Sequence, residues 1–214
     1  MHASVVLFDL DGTLADSLPF IKKTYRRVFD LLGLPWADGE VMRWIGRPIK
    51  DIAGHFAGGK EKEFLDLYKH YYDLEHDRYV RLFPGTLGML DFLKQRGLRL
   101  GVVTSKGREG TRRTVELTGL NRYLDVLVTA QDVNRHKPFP DPIQKALALF
   151  NASPRTAIYV GDSYFDMQAG RQAGTVTLGV TWGMATREEL LACEPDGLLE
   201  SWADLTVRFS PATR

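Results

Sequence analysis

The stretch Asp9-Leu10-Asp11-Gly12-Thr13-Leu14 places two carboxylates two residues apart. It follows directly on Val5-Val6-Leu7-Phe8, a short continuous apolar run that suits a strand buried on both faces of a parallel sheet. In open parallel sheets, ligands bind beyond the carboxyl ends of the strands. Asp9 is therefore expected to face a site, with Asp11 following on the turn that Gly12 permits. A plain Asp-Gly turn would account for Asp11 and Gly12. It would not account for a carboxylate at the end of a buried strand with a second so near. A carboxylate is a competent nucleophile toward an anionic centre when a metal and cations neutralise that centre's charge. A leaving oxygen also needs a proton from a nearby acid.

Such residues need a sheet to hold them. Similar apolar runs recur at Leu100-Gly101-Val102-Val103, Val126-Leu127-Val128 and Ala157-Ile158-Tyr159-Val160, with a weaker fifth from Val176 to Val180. Helical patterns separate them, so the spacing predicts an α/β fold with a Rossmann-like parallel sheet. From Asp16 to Leu82 this rhythm breaks and no convincing strand is seen. Ser17 can cap a helix with Pro19 in its first turn, Ile21, Tyr25, Val28 and Leu32 share a helical face, and Gly33 is the expected stop. Further helices are expected over Glu40 to Ile45, Lys50 to Phe56 and Glu61 to Tyr79, the last with Leu65, Tyr68 and Tyr72 on one stripe that reads as helix–helix packing. Phe83-Pro84-Gly85 reads as the return hinge. The expected organisation is thus a core of residues 1–15 and 83–214 with an all-helical insert at 16–82. Thr186-Arg187-Glu188-Glu189 has the spacing of a capping box, and the tail after Ser210 is expected to fray.

Composition narrows the function classes. The chain has 214 residues, 44% hydrophobic and 26% charged, which suits one large globular domain or a core with an appendage. Lys and Arg number 28 against 27 Asp and Glu, so no global field favours nucleic acid or an anionic membrane. One cysteine, Cys193, cannot form an intrachain disulfide, and the run Val5 to Phe8 is too short for a signal peptide. The expectation is a cytoplasmic protein in a reducing compartment, with no nucleic-acid or membrane partner. Monomer and homodimer are both left open.

The run of four apolar residues followed by Asp-x-Asp-Gly-Thr resembles the first motif of the haloacid dehalogenase superfamily. Three further motifs follow in order, each after an apolar strand. Val102-Val103-Thr104-Ser105 resembles the second, His136-Lys137-Pro138-Phe139-Pro140-Asp141-Pro142 the third, and Val160-Gly161-Asp162-Ser163-Tyr164-Phe165-Asp166 the fourth. The resemblance implies that Asp9 attacks a phosphoryl group to form an aspartyl phosphate and that Asp11 acts as general acid and then general base. It implies that Thr104, the backbone N–H groups of Ser105 and Lys106, and Lys137 hold the phosphoryl oxygens. It further implies Mg²⁺ bound by Asp9, Asp162 and the backbone carbonyl of Asp11. Asp166 would act from behind these ligands or ligate weakly. The helical insert matches the family's cap of the first class, which closes over a small phosphorylated substrate.

Within that family the chain looks most like phosphoglycolate phosphatases and the bacterial inorganic pyrophosphatases of the same fold. Trp44-Ile45-Gly46-Arg47-Pro48 lies where those proteins carry a cap loop facing the site, so Arg47 could grip the distal anionic end of a substrate; its other reading is a surface arginine. The implied activity is a Mg²⁺-dependent phosphatase for a small phosphorylated metabolite, with pyrophosphatase, β-phosphoglucomutase-like mutase and non-catalytic binding protein as alternatives in that order. Two further patterns are read as inert. Gly54 to Glu61 lacks the strand and final Ser or Thr of a P-loop, and Lys22, Lys23, Arg26 and Arg27 form a solvated helix face.

Overall fold

The computed structural model describes residues 3–209, so the expectation for the tail after Ser210 lies outside the described residues. Strand β1 (Val5–Phe8) leads through a turn to a two-residue strand β2 (Ala15–Asp16). Helix α1 (Leu18–Leu32), a 3₁₀ stretch (Ala37–Trp44), α2 (Ile49–Phe56) and α3 (Glu61–Tyr79) then follow. The chain returns through β3 (Arg81–Leu82) and alternates α4 (Thr86–Gln95), β4 (Arg99–Val103), α5 (Arg108–Thr118), β5 (Val126–Val128), α6 (Asp141–Phe150), β6 (Ala157–Gly161), α7 (Tyr164–Ala173) and β7 (Val176–Val180). It ends with α8 (Arg187–Leu191), β8 (Gly197–Leu199) and α9 (Trp202–Val207).

The sheet order is β5-β4-β1-β6-β7-β8, and every pairing in it is parallel. β1 is central, with all four residues fully buried, as its unbroken apolar sequence requires. Burial of each such side chain stabilises by about 1.5–3 kcal/mol. Because β1 lies between β4 and β6, its carboxyl end opens into the crevice where the strand order reverses. Asp9 is the next residue. The strand β8 was not anticipated: Gly197-Leu198-Leu199 is too short to carry a pattern, and it forms because it can pair with the edge of β7.

The helices α1 to α3 bury a hydrophobic cluster of their own, including Phe20, Val28, Phe29, Val41, Ile52 and Phe64. Gly33 ends α1 in the left-handed region (φ 65), as expected of a helix stop. The expectation of no strand between Asp16 and Leu82 is corrected: β2 pairs with β3 antiparallel, Ala15 opposite Leu82 and Asp16 opposite Arg81. This ladder ties the outgoing and returning chains together, and the backbone N–H of Phe83 donates to the Leu14 carbonyl at 3.0 Å. Among the described residues no helix is long and apolar enough to cross a membrane.

The two patterns read as inert behave so. Gly58 and Gly59 turn the chain between α2 and α3 with positive φ; Lys23 pairs with Glu75 of α3, Arg27 lies 3.9 Å from the Tyr71 ring centroid, and Arg26 pairs with Asp30 on α1 itself. Cys193 is buried, with its thiol pushed up by burial and then by Glu189, which fits an unactivated thiol. Thr186 accepts from the Glu189 backbone N–H, the anticipated capping box.

Candidate active site

Four strand ends converge at the crevice. Asp9 is 5% exposed, and its Oδ1 accepts a hydrogen bond from Lys137 Nζ at 2.9 Å. Lys137, itself buried, also donates to Asp166 Oδ1 at 2.6 Å and to the Tyr159 hydroxyl at 3.1 Å. Asp166 sits in the first turn of α7, where Ser163 is the N-cap and accepts from the Asp166 backbone N–H. The Asp166 carboxylate answers by accepting from the Ser163 backbone N–H at 3.1 Å, from the Ser163 hydroxyl, and from the Tyr159 hydroxyl at 2.7 Å. A capping box thus doubles as the clamp that fixes Lys137 beside Asp9.

Asp162, at the end of β6, is held from the other side. Its Oδ1 accepts from the Thr13 hydroxyl at 3.1 Å and its Oδ2 from the Met184 backbone N–H at 2.7 Å. Gly12 (φ 86) and Gly183 both press against this carboxylate, and a Cβ on either would come within 2.2 Å of an Asp162 side-chain atom. The Gly183–Met184 contribution was not read from the sequence. Its only signal is a glycine three residues past the end of β7.

Asp9, Asp162 and Asp166 bring carboxylate oxygens within 4.8 Å of one another. Burial, opposed by Lys137 and reinforced by Asp166, pushes the Asp9 carboxyl up to about 7. Burial, with the charges of Asp166 and Asp9, pushes Asp162 well above the usual carboxylate range. Burial acts the same way on Asp166, but the charge and hydrogen bond of Lys137 outweigh it and hold that carboxyl low. Three buried carboxylates therefore face one ammonium, which suits a hard divalent cation with oxygen ligands. The oxygens of Asp166 are occupied by their four donors, so Asp9 and Asp162 are the residues that would hold such an ion. The carboxylate of Asp11, by contrast, belongs to a different network.

Asp11 Oδ1 accepts from the Ser17 hydroxyl at 2.6 Å and from Lys106 Nζ at 2.9 Å. Two expectations are corrected here. Ser17 stands at the N-cap position of α1 but makes no side-chain cap: its backbone is near-helical (φ −111, ψ −13) where a capping serine is extended, and its hydroxyl is turned to donate to Asp11. The backbone N–H of Lys106 is not available to a ligand, because it donates to Thr104 Oγ1 at 3.1 Å. That arrangement leaves the Thr104 hydroxyl proton to donate elsewhere. It is the side chain of Lys106 that enters the site, a residue unmarked in the sequence beyond its place after Thr104-Ser105.

A cavity of about 730 Å³ opens over these groups. Asp9, Asp11, Thr104, Ser105 and Lys106 line its floor, and Tyr25, Tyr68, Tyr72, Ile45, Ile49 and Leu65 its roof. The aromatic stripe of α3 is thus more than packing. The Tyr72 ring lies 4.9 Å from Phe20 and stacks on Tyr68, while its hydroxyl accepts from Lys106 Nζ at 2.6 Å.

Arg47 lines the cavity and is not a surface arginine. Gly46 (φ 107) lets the loop press on the sheet side, so closely that a Cβ there would lie 2.7 Å from the Phe165 ring. The Arg47 guanidinium consequently sits 4.6 Å from the Trp44 ring centroid and 5.1 Å from that of Phe165, and its Nε is buried without a hydrogen-bond partner. A guanidinium whose Nε is buried and unpaired at the edge of a cavity gains from an anionic acceptor there. Arg47→Ala is expected to raise KM about ten-fold more for a substrate with a second anionic group, such as 2-phosphoglycolate, than for p-nitrophenyl phosphate. Equal effects in steady-state assays would remove Arg47 from substrate recognition.

Residues 6–180 match the family model described as haloacid dehalogenase-like hydrolase. The pyrophosphatase PpaX of Bacillus velezensis is 36% identical over 205 residues, covering 95% of each chain, and that of Anoxybacillus flavithermus is 33% identical over 206 residues, covering 96% of each. Among solved structures, a predicted phosphoglycolate phosphatase from Haemophilus somnus superposes with a TM-score of 0.89 at 26% identity, over 98% of this chain and 99% of that one. The motif order, the buried acidic cluster at the centre of a parallel sheet and these matches agree. The chain belongs to the haloacid dehalogenase-like hydrolases, as a phosphatase of that family.

Proposed function

We propose that the protein hydrolyses the phosphoryl group of a small phosphorylated metabolite through an aspartyl phosphate on Asp9, with a divalent cation, Mg²⁺, at the acidic cluster. The observation that carries this reading is the pairing of Asp9 with Lys137 at 2.9 Å, two residues before a second carboxylate that lines the same cavity. Phosphoryl transfer asks chiefly for positioning and charge neutralisation. Asp9 supplies the attacking oxygen. Lys137 neutralises that carboxylate and the incoming phosphoryl oxygens together, while the Thr104 hydroxyl donates to one of those oxygens. Asp11 gives its proton to the leaving oxygen and later takes one from the water that cleaves the aspartyl phosphate. A cation held by Asp9 and Asp162 supplies further neutralisation of phosphoryl charge when bound.

The roof of the cavity favours an organic leaving group, since Ile45, Ile49 and Leu65 offer apolar surface that pyrophosphate cannot use. Pyrophosphate is the second reading, favoured by the likeness to the PpaX pyrophosphatases. A phosphate-release panel with pyrophosphate, 2-phosphoglycolate and sugar phosphates separates the two. Excess EDTA is expected to lower turnover of every accepted substrate by more than about 100-fold, with recovery on adding Mg²⁺. A rate indifferent to the chelator would take the cation out of the scheme.

A further inference from the structure

Asp11 is held on one side only. Ser17, at the outgoing crossing between sheet and cap, and Lys106, after β4, both donate to Oδ1, and neither contact uses Oδ2. Lys106 is a flexible side chain, and an ammonium on four methylenes is ordered only if several acceptors share it. Its second acceptor is the hydroxyl of Tyr72, which belongs to the cap helix α3. Burial acts against the Lys106 charge, and Asp11 and Tyr72 more than offset it.

Tyr72 in turn depends on how α3 docks against α5. Tyr72 lies one turn before His76 on α3, and His76 meets α5 directly. The fully buried His76 places Nε2 2.8 Å from Thr114 Oγ1, and its Nδ1 lies 2.7 Å from Asp77. Arg113 donates to Asp77 Oδ1 at 2.9 Å and to the Asp73 carbonyl at 2.8 Å, and Lys69 reaches Glu109 at 3.0 Å. The contacts of His76, Asp77, Asp73 and Lys69 with α5 therefore fix α3 on the core, α3 carries the Tyr72 hydroxyl to Lys106, and Lys106 reaches Asp11.

We propose that Lys106 and Tyr72 are positioning residues for Asp11, so that docking of α3 on α5 aims Oδ2 of that carboxylate at the leaving group. With the cap undocked, Lys106 loses its second acceptor and Asp11 loses a fixed orientation, which ties proton delivery to cap closure. This rests on the reading of Asp11 as the proton carrier in phosphoryl transfer.

Leaving groups of different basicity test it, because an alkoxide needs a well-placed proton to depart and p-nitrophenolate scarcely does. Tyr72→Phe keeps the ring packing against Phe20 and Tyr68. It is expected to lower kcat/KM for propyl phosphate about ten-fold more than for p-nitrophenyl phosphate. Lys106→Met should show the same bias more strongly, and Lys106→Arg should recover part of it. Melting curves on each variant separate unfolding from altered turnover. Equal losses on both substrates, or no loss, would overturn the proposal and leave the two residues to packing or binding. Wild-type protein that releases phosphate from neither substrate nor from pyrophosphate would instead overturn the phosphoryl-transfer reading on which it rests.

Discussion

Replacing Asp9 with Asn is expected to cut turnover of p-nitrophenyl phosphate by about 10⁴-fold or more, since removal of a covalent nucleophile costs on that order. The variant should fold as well as the parent. Asn is isosteric with Asp, and its carbonyl oxygen can keep the hydrogen bond from Lys137 Nζ that Asp9 Oδ1 now accepts at 2.9 Å. The site already crowds Asp9, Asp162 and Asp166 around one ammonium, so removing one negative charge relieves repulsion. The raised Asp9 carboxyl, at about 7, expresses the same crowding and the cost of burial. An unchanged or higher melting temperature together with lost turnover would locate the effect in the chemistry. Turnover within ten-fold of the parent would mean that Asp9 is not the attacking group, whatever its place in the fold.

Most of the residues legible in the sequence without the family resemblance share one property: each follows an apolar strand within a few positions. Asp9, Thr104 and Asp162 stand just past the ends of β1, β4 and β6, so the rule that ligands bind at those ends found them directly. What stayed hidden was pairing across the chain. Lys106 reads as an ordinary loop lysine until Asp11, 95 residues away, and Tyr72, 34 residues away, are brought to it. Tyr72 was read as packing, and its ring does pack; the hydroxyl has no periodicity to betray its partner. Ser17 shows how a generic rule yields to a specific competitor. A serine before a helix is a sound cap when its backbone is extended, but Ser17 is near-helical and its hydroxyl is oriented to donate to the Asp11 carboxylate at 2.6 Å. The two-residue strands β2 and β3 and the edge strand β8 escaped because so few residues carry no alternation, and only their partners define them.

Lys137 joins stability to function at one atom, and Lys137→Met is expected to damage both. Its Nζ is shared by Asp9, Asp166 and Tyr159 within the buried cluster. Methionine fills most of the space but leaves three buried carboxylates without their ammonium, and breaking such a pairing costs about 3–5 kcal/mol. Turnover measured well below the new melting temperature should still fall by about 10²–10³-fold, the usual cost of losing one preorganised charge at a developing anion. The pH dependence has a definite sign. Without Lys137 the three carboxyl groups are raised in the folded state by burial and mutual repulsion, so the folded protein binds more protons than the unfolded chain. Its stability then rises as pH falls, and the deficit relative to the parent should narrow between about pH 8 and about pH 6. Mg²⁺ should raise the melting temperature of the variant by more than that of the parent, because a cation bound only by the folded state stabilises it in proportion to its affinity, and the variant site is more negative. Thermal melts at two pH values, with and without Mg²⁺, read both effects. Normal turnover in a destabilised variant would reduce Lys137 to a structural counter-ion. Indifference of both proteins to Mg²⁺ would mean that the carboxylates are held for Lys137 alone and not for a divalent cation.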